Sequence, residues 1–320
     1  MPKELTHWWL ASEALRRLPL DRPVRQQLEE HHAAYLVGAV LPDSLLHLIN
    51  GPDGVTARQL ANEFHDCRNH SYTPLLTFLA GTPDLPPAQQ ACLLGITAHI
   101  EADIAFHPFV YALAGDDIGR HYQVETDLDL WLLHRGQCPP VLELDELLDD
   151  DTRKAADAVM AGVFDPQALL PAESRAEALH HHAQCQARYG SPLWQILARL
   201  LGILPGTPFH RWQHLFYPYF LWQQGRAICW PQRWIHPANA IERGDSPEGL
   251  AEEAITRITS LLRRVDDEGL AAALRKQNGE NLLTGLPPGC PPPPGCHRST
   301  PALPHSLDCN ASAPPVTGQR

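Results

Sequence analysis

Apolar residues return every three or four positions along most of the chain, the spacing that lays a stripe down one side of an α-helix. No run alternates apolar and polar residues with β-branched side chains between turn signals. The pattern predicts an all-α fold. Thr6 can cap a first helix over HWWLASEALRRL, and Pro23 can open a second over VRQQLEEHHAAYLVGAV. Pro42 stops that second helix and leaves Asp43 at a helix end. Further helices are expected at about 57–67, 73–80, 87–107, 118–135, 150–162, 172–189, 192–203, 209–225 and 248–275. Residues 226–247, with Trp230, Trp234 and three prolines, read as an irregular segment laid over the helices.

The pattern stops near residue 285. Ten of the 31 prolines lie in 287–320, and apolar side chains there are too few to offset the entropy of ordering the chain. The expected organisation is one multi-helix domain, 1–284, and a Pro-rich disordered tail, 285–320. Its PPPP run reads as unstructured extension.

Charge and composition narrow the function. The formal balance, 25 Lys and Arg against 37 Asp and Glu, is −12, which disfavours a phosphate-backbone scaffold and makes nucleic acid a less favoured partner. The anomaly is 18 histidines, many in apolar surroundings, which points to metal binding. No apolar run reaches about 18 residues, and no apolar leader with a small-residue cleavage site follows the start. A cytoplasmic protein without a transmembrane segment is expected. Of eight cysteines, Cys67, Cys92, Cys138, Cys185 and Cys229 lack CxxC spacing and read as reduced thiols, and Cys290, Cys296 and Cys309 fall in the tail.

The chemistry concentrates in AHIEADIAFHP, where His99, Asp103 and His107 stand at i, i+4 and i+8. Each four-residue step turns only about 40° around a helix, so all three project from one stripe. Pro108 disfavours helix at the residue before it, so His107 is expected at a helix end. RHYQVETDLD then sets His121 and Glu125 at i and i+4 on the next helix. Imidazole and carboxylate suit zinc, and two ions about 3.5–4 Å apart can clamp a phosphodiester and activate water.

The order His7, Asp43 in GAVLPDS, His65 in NEFHDC, then His99, Asp103, His107, His121 and Glu125 resembles the zinc-dependent phospholipase C family and the related single-strand-specific zinc nucleases. The resemblance implies a first zinc on Asp43, His65, His99 and Asp103, and a second on His107, His121 and Glu125. A third would take His7 and share Asp103. It also implies phosphodiester hydrolysis by metal-activated water, with Asp43 as ligand first and catalytic base second. Phospholipid or another small phosphodiester is the implied substrate, with peripheral membrane contact. Secreted members complete the third zinc with an N-terminal Trp, whereas this chain begins Met1-Pro2-Lys3, so two or three ions are expected. Trp8 and Trp9 are expected core anchors.

Other patterns point elsewhere. His65-Asp66 is the dipeptide of HD phosphohydrolases, and Glu29-x-x-His32 and Glu177-x-x-His180 match a di-iron signature. A single-strand nuclease or a non-catalytic zinc-stabilised interaction protein are the remaining alternatives. His70 stands in reserve for His65. His180-His181-His182 points around a helix and reads as polar surface, and ELDELLDDDTRK reads as a solvated loop and helix start. In RWQHLFYPYFLW, Pro218 is expected to kink a helix whose Trp212, Phe216, Tyr219 and Phe220 pack in the core or form a wall beside the metals.

Overall fold

The computed structural model describes residues 3–66, 70–82, 84–204, 209–218 and 229–290. As the periodicity predicts, their regular structure is helical apart from one pair of two-residue strands. The organising element is α7, Pro87–Ala114, in which every residue from Ala91 to Val110 is buried. A helix apolar nearly all round must be enclosed on all sides. Around it pack α1 (Glu4–Arg16), α3 (His32–Gly38), α8 (Ile118–His134), α9 (Asp150–Val159) and α13 (Pro247–Glu268).

Helix α3 approaches α7 backbone to backbone. A Cβ on Gly38 would lie 2.0 Å from the Cys92 carbonyl oxygen, and one on Gly95 would lie 2.1 Å from that of Tyr35. Only glycine fits such an approach. The same crowding explains why the helix expected from Pro23 is divided. It breaks at His31 (φ −110°, ψ 39°) into α2, Pro23–Glu30, which buries Val24 and Leu28, and α3, which turns to lay Ala34–Gly38 on α7. Pro42 then opens a short helix α4, Leu41–Ser44, placing Asp43 in its first turn.

Four other expectations change. Helix α7 does not end at His107 but continues through Pro108, because Phe109 and Val110 beyond it are fully buried. That burial outweighs the local cost of proline, about 3 kcal/mol. The helix expected over 248–275 is divided at Gly269 (φ +84°) into α13 and α14, Leu270–Arg275. Among the described residues of the helix expected over 209–225 stand α12, Phe209–Trp212, and a 3₁₀ turn, Gln213–Leu215, before Phe216 becomes extended. Extension lets the Tyr217 N–H reach the Tyr189 carbonyl at 2.9 Å, a contact a continued helix would forbid. Tyr219, Phe220 and the rest of that stretch lie outside the described residues. Finally, His182 is wholly buried rather than surface, although His180 is exposed.

The remaining elements are α5 (Gly51–His65), α6 (Thr73–Gly81), α10 (Ala172–Tyr189) and α11 (Pro192–Gly202). The acidic run behaves as expected, with Asp149 accepting the Thr152 N–H at 2.7 Å to cap α9. In 229–247 a small antiparallel ribbon pairs β1, Trp234–Ile235, with β2, Glu242–Arg243, and lays Trp234 edge-on to Phe109. Cys92, Cys138, Cys229 and Cys290 are free thiols, and Cys67, Cys296 and Cys309 lie outside the described residues. The described chain closes with a turn in which Asn281 Oδ1 accepts the N–H groups of Leu283 and Thr284, burying Leu282 and Leu283. The tail from residue 291 lies outside the described residues. No described helix is long and apolar enough to cross a membrane.

Substitution Gly95→Ala should lower stability by roughly 2 kcal/mol, since the overpacking strain exceeds the gain in helix propensity. Urea denaturation should show a reduced midpoint at unchanged slope.

Candidate metal centre

Asp103, fully buried in the middle of α7, is the hub. His99 and His107 stand one turn before and after it, with His99 Nε2 3.1 Å and His107 Nδ1 3.7 Å from Asp103 Oδ2. From the last residue of α5, His65 Nε2 comes within 3.4 Å of Asp43 Oδ1 and 4.0 Å of Asp103 Oδ2. His7 on α1 points its Nε2 at Asp103 Oδ1 from 3.5 Å and stacks on His99, ring centroids 4.4 Å apart. On α8, His121 Nε2 lies 2.7 Å from Glu125 Oε1, and its ring is 6.1 Å from that of His107.

The outer hydrogen bonds fix the tautomers. Nδ1 of His65 donates to the Ala61 carbonyl at 2.7 Å, that of His99 to Ala39 at 3.0 Å, and that of His107 to Leu282 at 2.7 Å. A carbonyl only accepts, so each Nδ1 carries the proton and each Nε2 keeps its lone pair. Yet His65 Nε2 and His99 Nε2 face each other at 3.4 Å. Two lone pairs repel unless a cation sits between them. Both nitrogens of His7, Asp43 Oδ1 and both oxygens of Asp103 are buried without a hydrogen-bond partner. Folded chains rarely leave such atoms orphaned, so the donor set fits metal ions.

Three groups of ligand atoms lie within 4.8 Å of one another: His7, Asp43 and His99; His65, His99 and Asp103; and His107, His121 and Glu125. All eight residues expected from the sequence are therefore brought together. Asp66, Glu29, His32, Glu177 and His180 join none of these groups. His70 instead bonds the Gln277 carbonyl through Nε2 at 2.8 Å.

Burial and mutual charge tune the set. Burial pushes His7 and His107 down to about 3, so both offer neutral imidazole at ordinary pH. His121 is pushed the same way by the same cause. Burial opposes ionisation of Asp103, but His99 and His107 outweigh it and hold that carboxyl well below its usual range. Asp43 is likewise held low by His99 and His65 against the opposing effect of burial.

A second polar cluster props the site from behind, and sequence reasoning missed it. Ser44, next to Asp43, shares a hydrogen with His182 Nδ1 at 2.9 Å, and His182 Nε2 pairs with Glu4 at 3.2 Å. His47 stacks on His182 at 4.1 Å. Beside it, Asp129 accepts from the Thr6 hydroxyl at 2.5 Å and the Tyr217 hydroxyl at 2.6 Å, and Lys3 donates to the Leu215 carbonyl at 2.6 Å. These bonds fix α1 and hence His7. No sequence spacing signals them, because the partners are far apart along the chain.

An all-α scaffold enclosing buried histidine and carboxylate groups of this order is a helical protein with a donor set that could hold metal ions. The family model of zinc-dependent phospholipase C matches residues 6–167, half of the chain, and the protein belongs to that family. No curated protein and no solved structure matches the chain.

Two outcomes follow. Asp103→Asn, nearly isosteric but neutral, should cost at least one zinc equivalent per chain by elemental analysis and weaken binding at least about tenfold; His70→Ala should leave zinc content unchanged. The metal-free protein should lose stability as pH falls below about 6.5. His7, His47 and His107, each held near 3 when folded, refuse protons that the unfolded chain accepts. The slope approaches about 1 kcal/mol per histidine per pH unit, partly offset by His99, whose carboxylate neighbours raise it against burial. Urea midpoints of stripped protein at pH 7 and 5.5 check this.

Proposed function

We propose that the protein is a zinc-dependent phosphodiesterase that cleaves phospholipids or a related small phosphodiester. The observation that carries the reading is the set of buried, unpartnered ligand atoms around Asp103, in a chain of the zinc-dependent phospholipase C family. Structural zinc is ordinarily closed by four ligands, and nothing in such a role calls for ligand groups that overlap through His99.

Two or three ions are the proposed complement. Asp43, His65, His99 and Asp103 would hold one, and His107, His121 and Glu125 a second. His7 would hold a third with Asp103, from which it stands 3.5 Å, and Asp43 and His99 also fall within its reach. Zinc there supplies Lewis-acid stabilisation of phosphoryl oxygens and acidifies water. Asp43 is the partly exposed carboxylate of the first set, whereas Asp103 is sealed from solvent, so Asp43 can orient an attacking water and take its proton. His65, bonded to the Ala61 carbonyl, keeps its Nε2 turned toward Asp43 and so fixes where that proton is taken.

The double replacement His99→Ala and His121→Ala should abolish hydrolysis of phosphodiesters, and Asp43→Asn should lower kcat by about a hundredfold or more. Parallel assays on lipid vesicles and single-stranded DNA should favour lipid. Full activity in the doubly replaced protein overturns the reading.

A further inference from the structure

Helix α11 is inside out. Its inward side offers Gln195, Ala198 and Gly202, all buried, while Leu193, Ile196, Leu197 and Leu200 face solvent. Ile203 and Leu204 extend the stripe past the helix end, with Leu193 74% and Ile203 76% exposed. At about 100° per residue the six side chains fall within one third of the helix circumference. Six of the twelve exposed large aliphatic residues among the described residues are thus gathered on one short element. Single exposed leucines need no explanation, but a contiguous outward stripe marks a binding surface.

Charge says what kind. From Ala178 to Ile241 the sequence contains no Asp or Glu, yet it carries Arg188, Arg199, Arg211, Arg226 and Arg233, in a chain whose net charge is −12. Arg199 is exposed on α11 beside the stripe, Arg188 lies over the Trp194 ring at 5.1 Å, and Arg211 is exposed on α12. The nearby carboxylate of Asp117 is engaged by the N–H groups of Gly119 and Arg120 at 2.8 and 3.1 Å. An apolar face rimmed by arginine, on a stretch of chain that itself carries no acid, matches a bilayer whose interface carries anionic headgroups.

The stripe is joined to the helix that carries His121 and Glu125 through one intervening element. Helix α11 packs on α12, and α12 lies across the start of α8, where a Cβ on Gly119 would be 3.3 Å from Arg211 Cα. The Thr126 hydroxyl donates to the His214 carbonyl at 2.8 Å. Gly119 and Thr126 lie about 130° around α8 from His121 and Glu125, so α12 and the turn after it back the helix that carries these ligands rather than face the ligands themselves. We propose that α11 and its continuation to Leu204 form a docking element that seats the protein on an anionic phospholipid surface, where a phospholipid substrate would be met. Its role in catalysis rests on the phosphodiesterase reading above, but the docking itself does not.

The test is co-sedimentation of the full chain with vesicles of phosphatidylcholine mixed with phosphatidylglycerol, and of phosphatidylcholine alone. The native protein should bind the mixed vesicles more tightly. Ile196→Glu/Leu200→Glu should weaken that binding at least about tenfold. Arg199→Gln should weaken it about fivefold on mixed vesicles and little on phosphatidylcholine alone. Both variants change exposed side chains and should keep the native circular dichroism and the rate on a soluble short-chain phosphodiester. Unchanged vesicle binding in the Glu pair overturns the proposal. So does a native dimer that the same pair dissociates without any vesicle binding, which would assign the stripe to a second copy. Vesicle binding without hydrolysis of any phosphodiester keeps the docking surface and removes the enzymatic reading; hydrolysis of the soluble substrate without vesicle binding does the reverse.

Discussion

A carboxylate sealed from solvent at the centre of the molecule is the constraint on which the rest depends. Removing an ionised carboxyl from water costs several kcal/mol unless positive charge and well-placed partners offset it. Around Asp103 the chain supplies His65 and His99, held by carbonyls at Nδ1, whose Nε2 atoms turned to it are acceptors like the carboxylate itself. The cluster is consistent only when cations complete it. A metal held there would contribute folding free energy, since the unfolded chain has no preformed site.

That constraint accounts for the architecture nearby. The Ala39 carbonyl reaches His99 because α3 lies almost in van der Waals overlap with α7, which Gly38 and Gly95 permit. The turn holding Asp43 is secured through Ser44 by the buried His182–Glu4 pair, and α1 is secured by Asp129 and Lys3. Each support arises from a different part of the chain. A polar core of this kind stabilises the fold only when every member is satisfied.

The sequence made some of this legible. His99, Asp103, His107, His121 and Glu125 could be placed by helical periodicity alone, since their partners lie on the same or the next helix. His7, Asp43 and His65 carry no such period, and only their order within a family pattern singled them out. The support by Glu4, Ser44 and His182 was invisible, because its hydrogen bonds span 138 and 178 positions. Pro108 misled for a related reason: a local preference gave way to burial of Phe109 and Val110. Helix α11 was placed correctly along the chain, but periodicity identifies an apolar stripe without saying whether it turns toward the protein or away.

The hydrogen bond from His107 to the Leu282 carbonyl spans 175 positions, and that from Lys3 to Leu215 spans 212. The centre is therefore assembled from segments that leave the ribosome far apart in time. Helices α7 and α8 can form early, but His107 acquires its acceptor only after the turn around Asn281 has been made. Metal captured before then would meet an imidazole free to rotate and choose either nitrogen. The closing turn thus sets the tautomer of a histidine on the central helix, so that a residue near position 282 decides which nitrogen His107 presents inward.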